Sequence, residues 1–331
     1  MYAMQIDRVG ASLHMVERAI PTPGPGEVLI EVAACGVCRT DLHILDGDIT
    51  SELPIIPGHE IVGRVTGLGE KQARFCIGDR VGVPWLGSTC GKCRYCDARK
   101  ENLCEDPQFT GFTVDGGFAT HVIARAEYCF AIPPTIDDAH AAPLLCAGLI
   151  GYRAFSLTND AQVIGLYGFG AAAHIIAQIA IGLGCRVLAF TRPGDLAAQQ
   201  FARSLGCIWA GGSDEPPPSE LDAAIIFAPV GRLVPVALGA VRKGGTVICA
   251  GIHMSDIPSF PYELLWGERQ VRSVANLTRA DGESFFAAIG EIKIEPQVEC
   301  FALREANEAL EKLRSGDIVG AVVLLPQRSE V

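Results

Sequence analysis

The fold is decided by one stretch of sequence, Val163-Ile164-Gly165-Leu166-Tyr167-Gly168-Phe169-Gly170-Ala171-Ala172-Ala173. A short apolar run leads into a glycine-rich turn and then into a helix-forming sequence. Gly168 permits a tight turn, and Gly170 lets the backbone approach a pyrophosphate at the N-terminus of a helix that begins at Ala171. Ala173 stands where a third glycine is common and alanine is an accepted substitute. Because these glycines lie between a strand and a helix, they favour a dinucleotide-binding turn over an ordinary strand-to-helix connection.

The sequence around this turn alternates between strands and helices. After the strand Val163–Tyr167, further strands are predicted at Arg186–Phe190, Ala223–Phe227 and Thr246–Ala250. This alternation predicts a doubly wound parallel sheet with helices on both faces. The apolar segment from Val163 to Leu188 could be mistaken for a membrane span, but its glycines fit turns better, and we expect no membrane association.

The remaining sequence has a different pattern. Up to about Pro143, short β-like runs are separated by Gly- and Pro-rich turns, which predicts a mostly β domain with long loops. The last part holds only one amphipathic helix, Glu305–Leu313, and one strand, Gly320–Leu325. Two elements are too few for a domain, so we expect them to return to the first one. The predicted α/β fold therefore has a mostly β domain of residues 1–147 and 282–331, with a second domain of residues 148–281 inserted into it.

Composition narrows the classes of function. The 331 residues include 38 acidic and 27 basic side chains, a net charge of −11, which disfavours nucleic acid as a partner. Thirteen cysteines occur in a long chain whose first residues lack the basic and apolar pattern of an export signal. Such cysteines more often bind metal or react than form a disulfide framework, so we expect a reducing compartment, the cytoplasm.

Four of the cysteines form a dense cluster, Cys90, Cys93, Cys96 and Cys104. The two-residue gaps let the chain fold back so that several sulfurs reach one ion, and the longer gap completes a tetrahedron. Four thiolates and no open position are typical of a structural zinc site. A zinc ribbon that binds nucleic acid is the alternative, but the acidic charge and the lack of interleaved basic and aromatic residues oppose it.

A second metal constellation is dispersed along the chain. Cys38, His59 and Cys146 would offer two thiolates and one imidazole, and zinc would keep its fourth position open. Three protein ligands with an exchangeable position are the arrangement of a catalytic zinc. Asp41 is a candidate acceptor for the second nitrogen of His59, which would fix the tautomer of the ring.

In order and spacing, these motifs resemble the zinc-dependent medium-chain alcohol dehydrogenases, and nearly the whole chain takes part. The matching stretches are Gly36-Val37-Cys38-Arg39-Thr40-Asp41-Leu42-His43, Pro57-Gly58-His59-Glu60, the four-cysteine cluster, Pro143-Leu144-Leu145-Cys146-Ala147-Gly148 and the glycine turn at residues 165–170. The resemblance implies a GroES-like catalytic domain with an inserted Rossmann coenzyme-binding domain. It also implies two zinc ions per chain, a catalytic one on Cys38, His59 and Cys146 with Glu60 close behind, and a structural one on the four clustered cysteines.

The resemblance further implies a reaction. The chain would interconvert primary or secondary alcohols and aldehydes or ketones by hydride transfer to or from NAD(P), with zinc polarising the substrate oxygen. Thr40 and His43 match the spacing of the family's proton relay, which runs through the cofactor ribose. Trp85 resembles an aromatic wall of the substrate pocket, and Ile49 stands where some ethanol-preferring members carry tryptophan. The smaller isoleucine would leave room for longer or cyclic alcohols and for aldehydes and ketones.

Which nicotinamide cofactor binds depends on the end of the second Rossmann strand. That strand ends in Thr191 and Arg192 instead of the acid that usually binds the ribose of NAD, and Arg192 could pair with a 2′-phosphate. Asp195 could serve the ribose instead, so the sequence leans only slightly to NADP. Arg39 resembles the family arginine that contacts the pyrophosphate, whereas Ala321 stands where relatives often have a second arginine.

Two other functions are compatible with a zinc-rich chain of this kind. A polyol or other zinc-dependent dehydrogenase of the same superfamily often has a carboxylate as its third ligand, which Cys146 disfavours. A zinc-stabilised binding protein without catalysis would need a damaged relay or metal triad, and neither is evident. Relatives of this length resemble microbial tetramers, which predicts a homotetramer. Six or all seven of the remaining thiols are interpreted as packing residues; the seven are Cys35, Cys76, Cys129, Cys185, Cys207, Cys249 and Cys300.

Overall fold

The computed structural model describes residues 1–252, 254–316, 318 and 320–326. These residues form two units. The first consists of Met1–Cys146, Asn276–Gly290 and the described residues from Glu295 onward, and the second consists of Ala147–Ala275 and Glu291–Ile294. The boundaries predicted at residues 147/148 and 281/282 stay a prediction, because compactness in the folded chain does not test which segments fold alone.

The helices and strands follow one another in three parts of the chain. The N-terminal part contains β1 (Tyr2–Gln5), β2 (His14–Glu17), β3 (Glu27–Val37), α1 (Arg39–Asp46), β4 (Glu60–Leu68), β5 (Arg80–Val83), β6 (Leu86–Ser88), α2 (Arg94–Asp97), β7 (Gln108–Phe109), β8 (His121–Arg125), β9 (Phe130–Ala131) and α3 (Asp138–Ala141). The middle part contains α4 (Ala147–Ser156), β10 (Val163–Tyr167), α5 (Ala171–Gly182), β11 (Arg186–Thr191), α6 (Leu196–Ser204), β12 (Trp209–Gly212), β13 (Leu221–Ile226), α7 (Leu233–Ala240), β14 (Val241–Cys249) and β15 (Gln270–Ser273). The last part contains α8 (Arg279–Glu291), β16 (Val298–Ala302), α9 (Ala306–Ser315) and β17 (Ala321–Leu325).

The main sheet of the first unit is built around the long strand β3. Its strand order is β16-β17-β3-β4-β5-β9, and β8 also pairs with β3. The pairings of β3 with β4, β8 and β17 are antiparallel, so hairpins and long loops can connect the strands. The strand β17 lies beside β3, with Val323 opposite Gly36. Segments far apart in the sequence therefore contribute to one sheet.

The second unit is a parallel sheet with the strand order β12-β11-β10-β13-β14-β15. Every residue of β10 is buried, and its side chains alternate between two apolar cores. Ile164 and Leu166 pack with α5 and α6, whereas Val163 and Tyr167 pack with α7. Strands buried on both faces have continuous apolar sequences, which is why these strands can be predicted from the sequence. The predicted doubly wound parallel sheet is confirmed.

The apolar segment from Val163 to Leu188 forms β10, α5 and the beginning of β11, as predicted. Glycines end its elements: Gly168 follows β10, and Gly184 has a φ of +88° in the connection to β11. Over the described part of the chain, no helix combines the length and the apolar character that crossing a membrane requires.

None of the thirteen cysteines is in a disulfide, as the metal interpretation requires. Cys35, Cys129 and Cys207 are buried, and burial raises the pKa of their thiols, which makes them unreactive packing residues. Of the two numbers predicted for the packing thiols, seven is wrong, because Cys76 is exposed. It lies in a turn before β5, where its backbone N–H donates to Oδ2 of Asp79 and its side chain is left in solvent.

Candidate metal centres and nucleotide-binding turn

Cys38 lies where β3 ends and α1 begins, and its position is fixed by helix capping. Its Sγ accepts a hydrogen bond from the backbone N–H of Thr40 at 3.3 Å. Its own N–H donates to Oδ2 of Asp41 at 2.8 Å. This reciprocal pair is a capping box in which the thiol takes the place of the usual hydroxyl. The sulfur is therefore held at the N-terminus of a helix, where the helix dipole favours a thiolate.

His59 and Glu60 arrive at the same place through the pairing of β3 with β4. Glu60 begins β4 and lies opposite Gly36 of β3. The glycine is required there, because a Cβ on Gly36 would lie 1.8 Å from Oε2 of Glu60. Gly58 has a φ of +96°, which turns the chain just before His59. The side chains of His59 and Glu60 are almost fully buried.

These residues form a cluster with Cys146, which follows the short 3₁₀ helix Ala142–Leu145. One ligand atom from each of Cys38, His59, Glu60 and Cys146 lies within 4.8 Å of the others. Nε2 of His59 is 3.2 Å from Sγ of Cys38. Two thiols and one imidazole converging in this way, with a carboxylate behind them, are a donor set that suits zinc.

The second nitrogen of His59 faces Asp41. Nδ1 is buried without a hydrogen-bond partner and lies 3.8 Å from Oδ1 of Asp41, an ion-pair distance rather than a hydrogen bond. Oδ1 of Asp41 accepts from the N–H of Gly58 at 3.2 Å. The carboxylate thus lies on the side of the ring that the sequence predicted, and it leaves Nε2 directed at the sulfur of Cys38.

Buried acidic groups outnumber the single base of this cluster. A hydrogen bond with Cys146 and the neighbouring imidazole lower the pKa of Cys38 against the effect of burial. Burial and the Cys38 thiolate raise the pKa of Asp41 to about 7 and that of Glu60 well above its usual value. Burial opposes but the Cys38 thiolate favours the charged form of His59, whose pKa rises to about 10. A bound divalent cation would relieve this excess of negative charge, which is the electrostatic evidence that the site fits zinc.

An aromatic wall borders the cluster. The indole of Trp85 meets the imidazole of His59 edge-on, with ring centroids 4.9 Å apart. Phe109 and Phe112 stack on the same indole at 4.9 and 5.5 Å. The sequence motifs indicate Trp85 but not the two phenylalanines, because Phe109 ends the two-residue strand β7 and Phe112 lies in the turn after it, and so short a segment has no periodicity. Ile49 is half-buried and packs against the same core.

The helix α1 carries the predicted relay residues. Thr40 and His43 are three residues apart and therefore neighbours on one helical face. Nδ1 of His43 lies 2.8 Å from Oδ2 of Asp48, a partner that the sequence motifs do not indicate. Arg39, the first residue of the helix, is exposed.

The four remaining candidate ligands form a second cluster in the first unit. The sulfurs of Cys90, Cys93, Cys96 and Cys104 lie within 4.8 Å of one another. Sγ of Cys104 accepts from the N–H groups of Cys90 and Asp106, at 3.3 and 3.4 Å. Backbone N–H groups directed at sulfur stabilise the thiolate form. Among the described residues, no further Cys, His, Asp or Glu is grouped with these four sulfurs, and such a set is suited to a structural zinc.

The glycine turn of the second unit has the geometry that a dinucleotide requires. Gly168 has a φ of +87°, and a Cβ there would lie 2.8 Å from Ala228. Gly170 precedes α5, and a Cβ on it would meet no atom within 4 Å, so the space in front of the helix is open. Ala171 is the first residue of α5, and Ala173 is fully buried. The exposed helix N-terminus can therefore receive an anion.

At the end of β11, the candidate cofactor residues differ in exposure. Thr191 is buried, and its hydroxyl donates to the carbonyl of Gly211 at 3.2 Å. Arg192 is exposed. Asp195 accepts a hydrogen bond from the N–H of Ala198 at 3.0 Å and so caps α6, which engages one of its oxygens. Arg192 keeps its guanidinium at the surface.

Comparisons with known proteins agree with this architecture. Residues 24–134 match the family model described as alcohol dehydrogenase GroES-like domain. A Mycobacterium tuberculosis protein named "Probable alcohol dehydrogenase AdhA" is 44% identical, with 98% of this chain and 97% of the relative covered. An acetophenone reductase from Geotrichum candidum, solved in complex with NAD, is 28% identical with a TM-score of 0.85, covering 98% of this chain and 96% of that one. A thermostable alcohol dehydrogenase from Pyrobaculum aerophilum with cobalt and zinc bound is 26% identical with a TM-score of 0.86, covering 98% and 99%.

The predicted GroES-like plus Rossmann fold class is thereby confirmed. The alignment with the first relative extends over essentially the full length of both chains, so it spans both units. The chain belongs to the zinc-dependent medium-chain alcohol dehydrogenase family.

Proposed function

We propose that this protein is a zinc-dependent alcohol dehydrogenase that interconverts alcohols and aldehydes or ketones with a nicotinamide cofactor. The observation that carries the proposal is the buried cluster of Cys38, His59 and Cys146, whose donor atoms converge in a member of this family. Zinc bound there would supply Lewis-acid chemistry to the substrate oxygen, while NAD or NADP would take up or give the hydride.

The residues of the chain have separate tasks in this proposal. Cys38 and Cys146 supply thiolates that offset the charge of the metal, and Asp41 holds the ring of His59 in the orientation that directs Nε2 inward. Glu60 lies behind the three ligands as a buried acid. Trp85 covers one side of the imidazole and excludes water from it. Each of these tasks rests on a contact or a distance within the cluster.

Thr40 and His43 form the proposed proton relay. Thr40 is held at the N-terminus of α1 by its N–H bond to Sγ of Cys38, beside the proposed metal site. His43 follows one helical turn later and is half-buried, with 23% of its side chain exposed. Protons released in alcohol oxidation would pass from the Thr40 hydroxyl towards the imidazole and then to solvent.

The second zinc of the proposal is structural and is held by Cys90, Cys93, Cys96 and Cys104. Their convergence and their N–H to sulfur hydrogen bonds support it. Two zinc ions per chain are therefore expected.

The cofactor residues of the proposal are Gly168, Gly170, Ala171 and Ala173 for the pyrophosphate, with Arg39 as a further contact. Thr191 and Arg192 would face the adenosine ribose. NADP is slightly favoured as the cofactor. The guanidinium of Arg192 is exposed and can pair with a 2′-phosphate, whereas one oxygen of Asp195 is already engaged in capping α6.

The proposed pocket residues are Trp85 and Ile49, and an aromatic wall favours substrates larger than ethanol. A homotetramer in the cytoplasm completes the proposal. Thirteen cysteines without a disulfide support a reducing compartment, and sedimentation velocity of the purified protein tests the tetramer.

A single assay tests the activity and the cofactor together. The purified protein is mixed with a panel of alcohols and with NAD or NADP, and the reduced nicotinamide is followed by absorbance. We expect turnover of medium-chain and aryl alcohols, with a higher kcat/KM for NADP. Metal analysis by mass spectrometry should give about two zinc ions per chain. The absence of turnover with every alcohol and both cofactors in the fully zinc-loaded protein contradicts the proposal.

A further inference from the structure

The end of α1 folds back onto His43. Nδ1 of His43 lies 2.8 Å from Oδ2 of Asp48. The backbone N–H of Asp48 donates to the carbonyl of His43 at 2.9 Å, and the N–H of Ile49 approaches the same carbonyl at 3.4 Å. His43 and Asp48 are therefore joined through both their backbones and their side chains.

The turn that makes this contact is sterically defined. Gly47 ends α1 with a φ of +79°, a left-handed conformation that favours glycine. A Cβ on Gly47 would lie 2.5 Å from Cγ1 of Val9, so the turn is packed as well as glycine-dependent. Any other residue at this position would strain the left-handed turn that leads to Asp48 and would displace the side chain of Val9.

The helix that precedes the turn is anchored independently. Asp46 accepts two hydrogen bonds from the guanidinium of Arg314 in α9, both at 2.7 Å. Asp48 and Asp46 are charged groups near His43, and Arg314 interacts with both of these carboxylates. Of these three, Asp48 is the one within hydrogen-bond distance of Nδ1.

We propose that Asp48 is a positioning residue of the proton relay: its carboxylate takes the N–H of Nδ1 and leaves Nε2 of His43 as the basic nitrogen. The inference rests on the proposed function. A neutral imidazole carries one N–H, so the partner of one nitrogen decides which nitrogen has the lone pair. The carboxylate also pairs with the imidazolium that forms when the ring takes up a proton.

The proton balance of this step is simple. One proton, released on the Thr40 side when an alcohol is oxidised, binds Nε2 of His43, and the ring becomes an imidazolium paired with Asp48. Water then removes one proton from Nε2, and the neutral ring is restored with its N–H still directed at Asp48. The exposed fractions of the side chains, 23% for His43 and 56% for Asp48, leave solvent access at this end of the relay. Asp48 itself gains and loses no proton.

The test compares variants in the zinc-loaded enzyme by the single-turnover rate of nicotinamide reduction. D48A should lower this rate about tenfold at pH 7 with KM within about twofold of wild type, since loss of a residue that orients a histidine typically costs about 10–100-fold. D48N should recover most of the rate, because its amide oxygen can accept the same N–H. D46N is the matched control: it weakens the Arg314 anchor at the same helix end, and we expect it to lower the melting temperature but not the rate.

A double-mutant cycle with H43A decides whether Asp48 acts through His43. The effect of D48A should fall below about twofold in the H43A background, because residues of one relay are not additive. Rate losses that multiply in the double variant, or a D48A rate equal to that of wild type, overturn the inference. An H43A variant with the wild-type rate overturns the relay and with it the role of Asp48, while alcohol oxidation itself stands.

Neutron diffraction of deuterated crystals supplies a readout that does not depend on turnover. We expect a deuteron on Nδ1 of His43, directed at Asp48. A bare Nδ1 overturns the inference even for a protein that oxidises none of the alcohols tested.

Discussion

Glu101 and Arg279 join the four-cysteine segment to the first turn of α8. Oε1 of Glu101 accepts hydrogen bonds from both the backbone N–H and Nε of Arg279, at 3.1 and 3.3 Å. The Glu101 side chain is only 8% exposed, and the guanidinium also covers the ring of Tyr128. Glu101, which lies close to the cysteines in sequence, is thereby hydrogen-bonded to a helix that begins 178 positions later in the chain.

The first prediction concerns this contact. E101A removes a buried acceptor and leaves two donors of Arg279 without a partner, so we expect the free energy of unfolding to fall by about 2 kcal/mol. Urea denaturation monitored by circular dichroism measures it. E127A, which removes the other and more exposed partner of Arg279, is the control and should cost less than about 1 kcal/mol. Equal losses in the two variants would show that the buried Glu101 stabilises the fold no more than the exposed Glu127.

The second prediction concerns metal removal. Chelation of the metal on the four-cysteine cluster should lower the melting temperature by several degrees, because a structural metal contributes its binding free energy to folding. C104S should give the same loss without a chelator, and C76S, at an exposed thiol, should give none. Differential scanning calorimetry measures all three, with the zinc content of each sample determined alongside. An emptied site with an unchanged melting temperature refutes the structural role.

The third prediction concerns Gly36. G36A places a methyl group where Oε2 of Glu60 now lies, 1.8 Å from the added Cβ, so Glu60 and the adjacent His59 must move. We expect zinc content to fall by about one ion per chain and turnover to fall about 100-fold, since losing even a residue that only supports a ligand costs about 10–100-fold in metal affinity or activity. G290A is the control, because a Cβ there meets no atom within 4 Å. Full zinc content in G36A would show that the β3–β4 register does not set the site.

The fourth prediction concerns pH and the second unit. Desolvation opposes the charge of Asp222, but Arg242 and the N–H groups of Gln162 and Val163 hold its pKa below the usual value. A carboxylate with a lowered pKa in the folded state contributes stability above its unfolded pKa, near about 4, and this contribution disappears as the pH falls through the lower, folded value. D222N should therefore destabilise the protein by about 1–2 kcal/mol at pH 7 and by much less at about pH 2–3. Chemical denaturation at both pH values tests it, and an equal loss at both assigns the effect to packing.

The fifth prediction concerns the aromatic wall. W85A should lower kcat/KM for benzyl alcohol about tenfold more than for ethanol, because an aromatic contact contributes about 0.5–1.5 kcal/mol beyond the area that it buries. W85F, which keeps a ring against His59, should restore most of the preference. Steady-state kinetics with the two alcohols measures the ratio. An unchanged ratio in W85A would mean that Trp85 supports His59 without contacting substrate.

The sequence predicts most of the second unit and less of the first. Val163–Tyr167 is buried on both faces and is a continuous apolar run, so its type and bounds are recognisable. The end of β3 at Val37 is not recognisable from the sequence, because Gly36 has low strand propensity and the reason for this glycine is visible only when Glu60 lies opposite it. The candidate ligands could be found because cysteine and histidine spacing is informative on its own.

Asp48, Phe109 and Phe112 could not be found in that way. An acidic residue after a glycine is common in turns, and only the left-handed φ of Gly47 returns this one to His43. Phe109, at the end of the two-residue strand β7, and Phe112, in the turn that follows, contact Trp85 only through tertiary packing. Cys76 is the reverse case: its sequence surroundings indicate a buried packing residue, whereas its side chain lies in solvent.

The pairing of β17 with β3 has a consequence for the order in which the protein is made. Val323 and Gly36 are neighbours in the sheet, yet nearly the whole chain must leave the ribosome between them. The parallel sheet of the second unit uses strands from one contiguous stretch and can close while synthesis continues. The main sheet of the first unit cannot be completed until β17 has been synthesised, so β3 lacks one neighbouring strand until then. Closing so long a loop slows the pairing of β17 with β3. Newly made chains that stall before residue 321 would therefore expose an unpaired β3 edge, a surface for chaperones to cover.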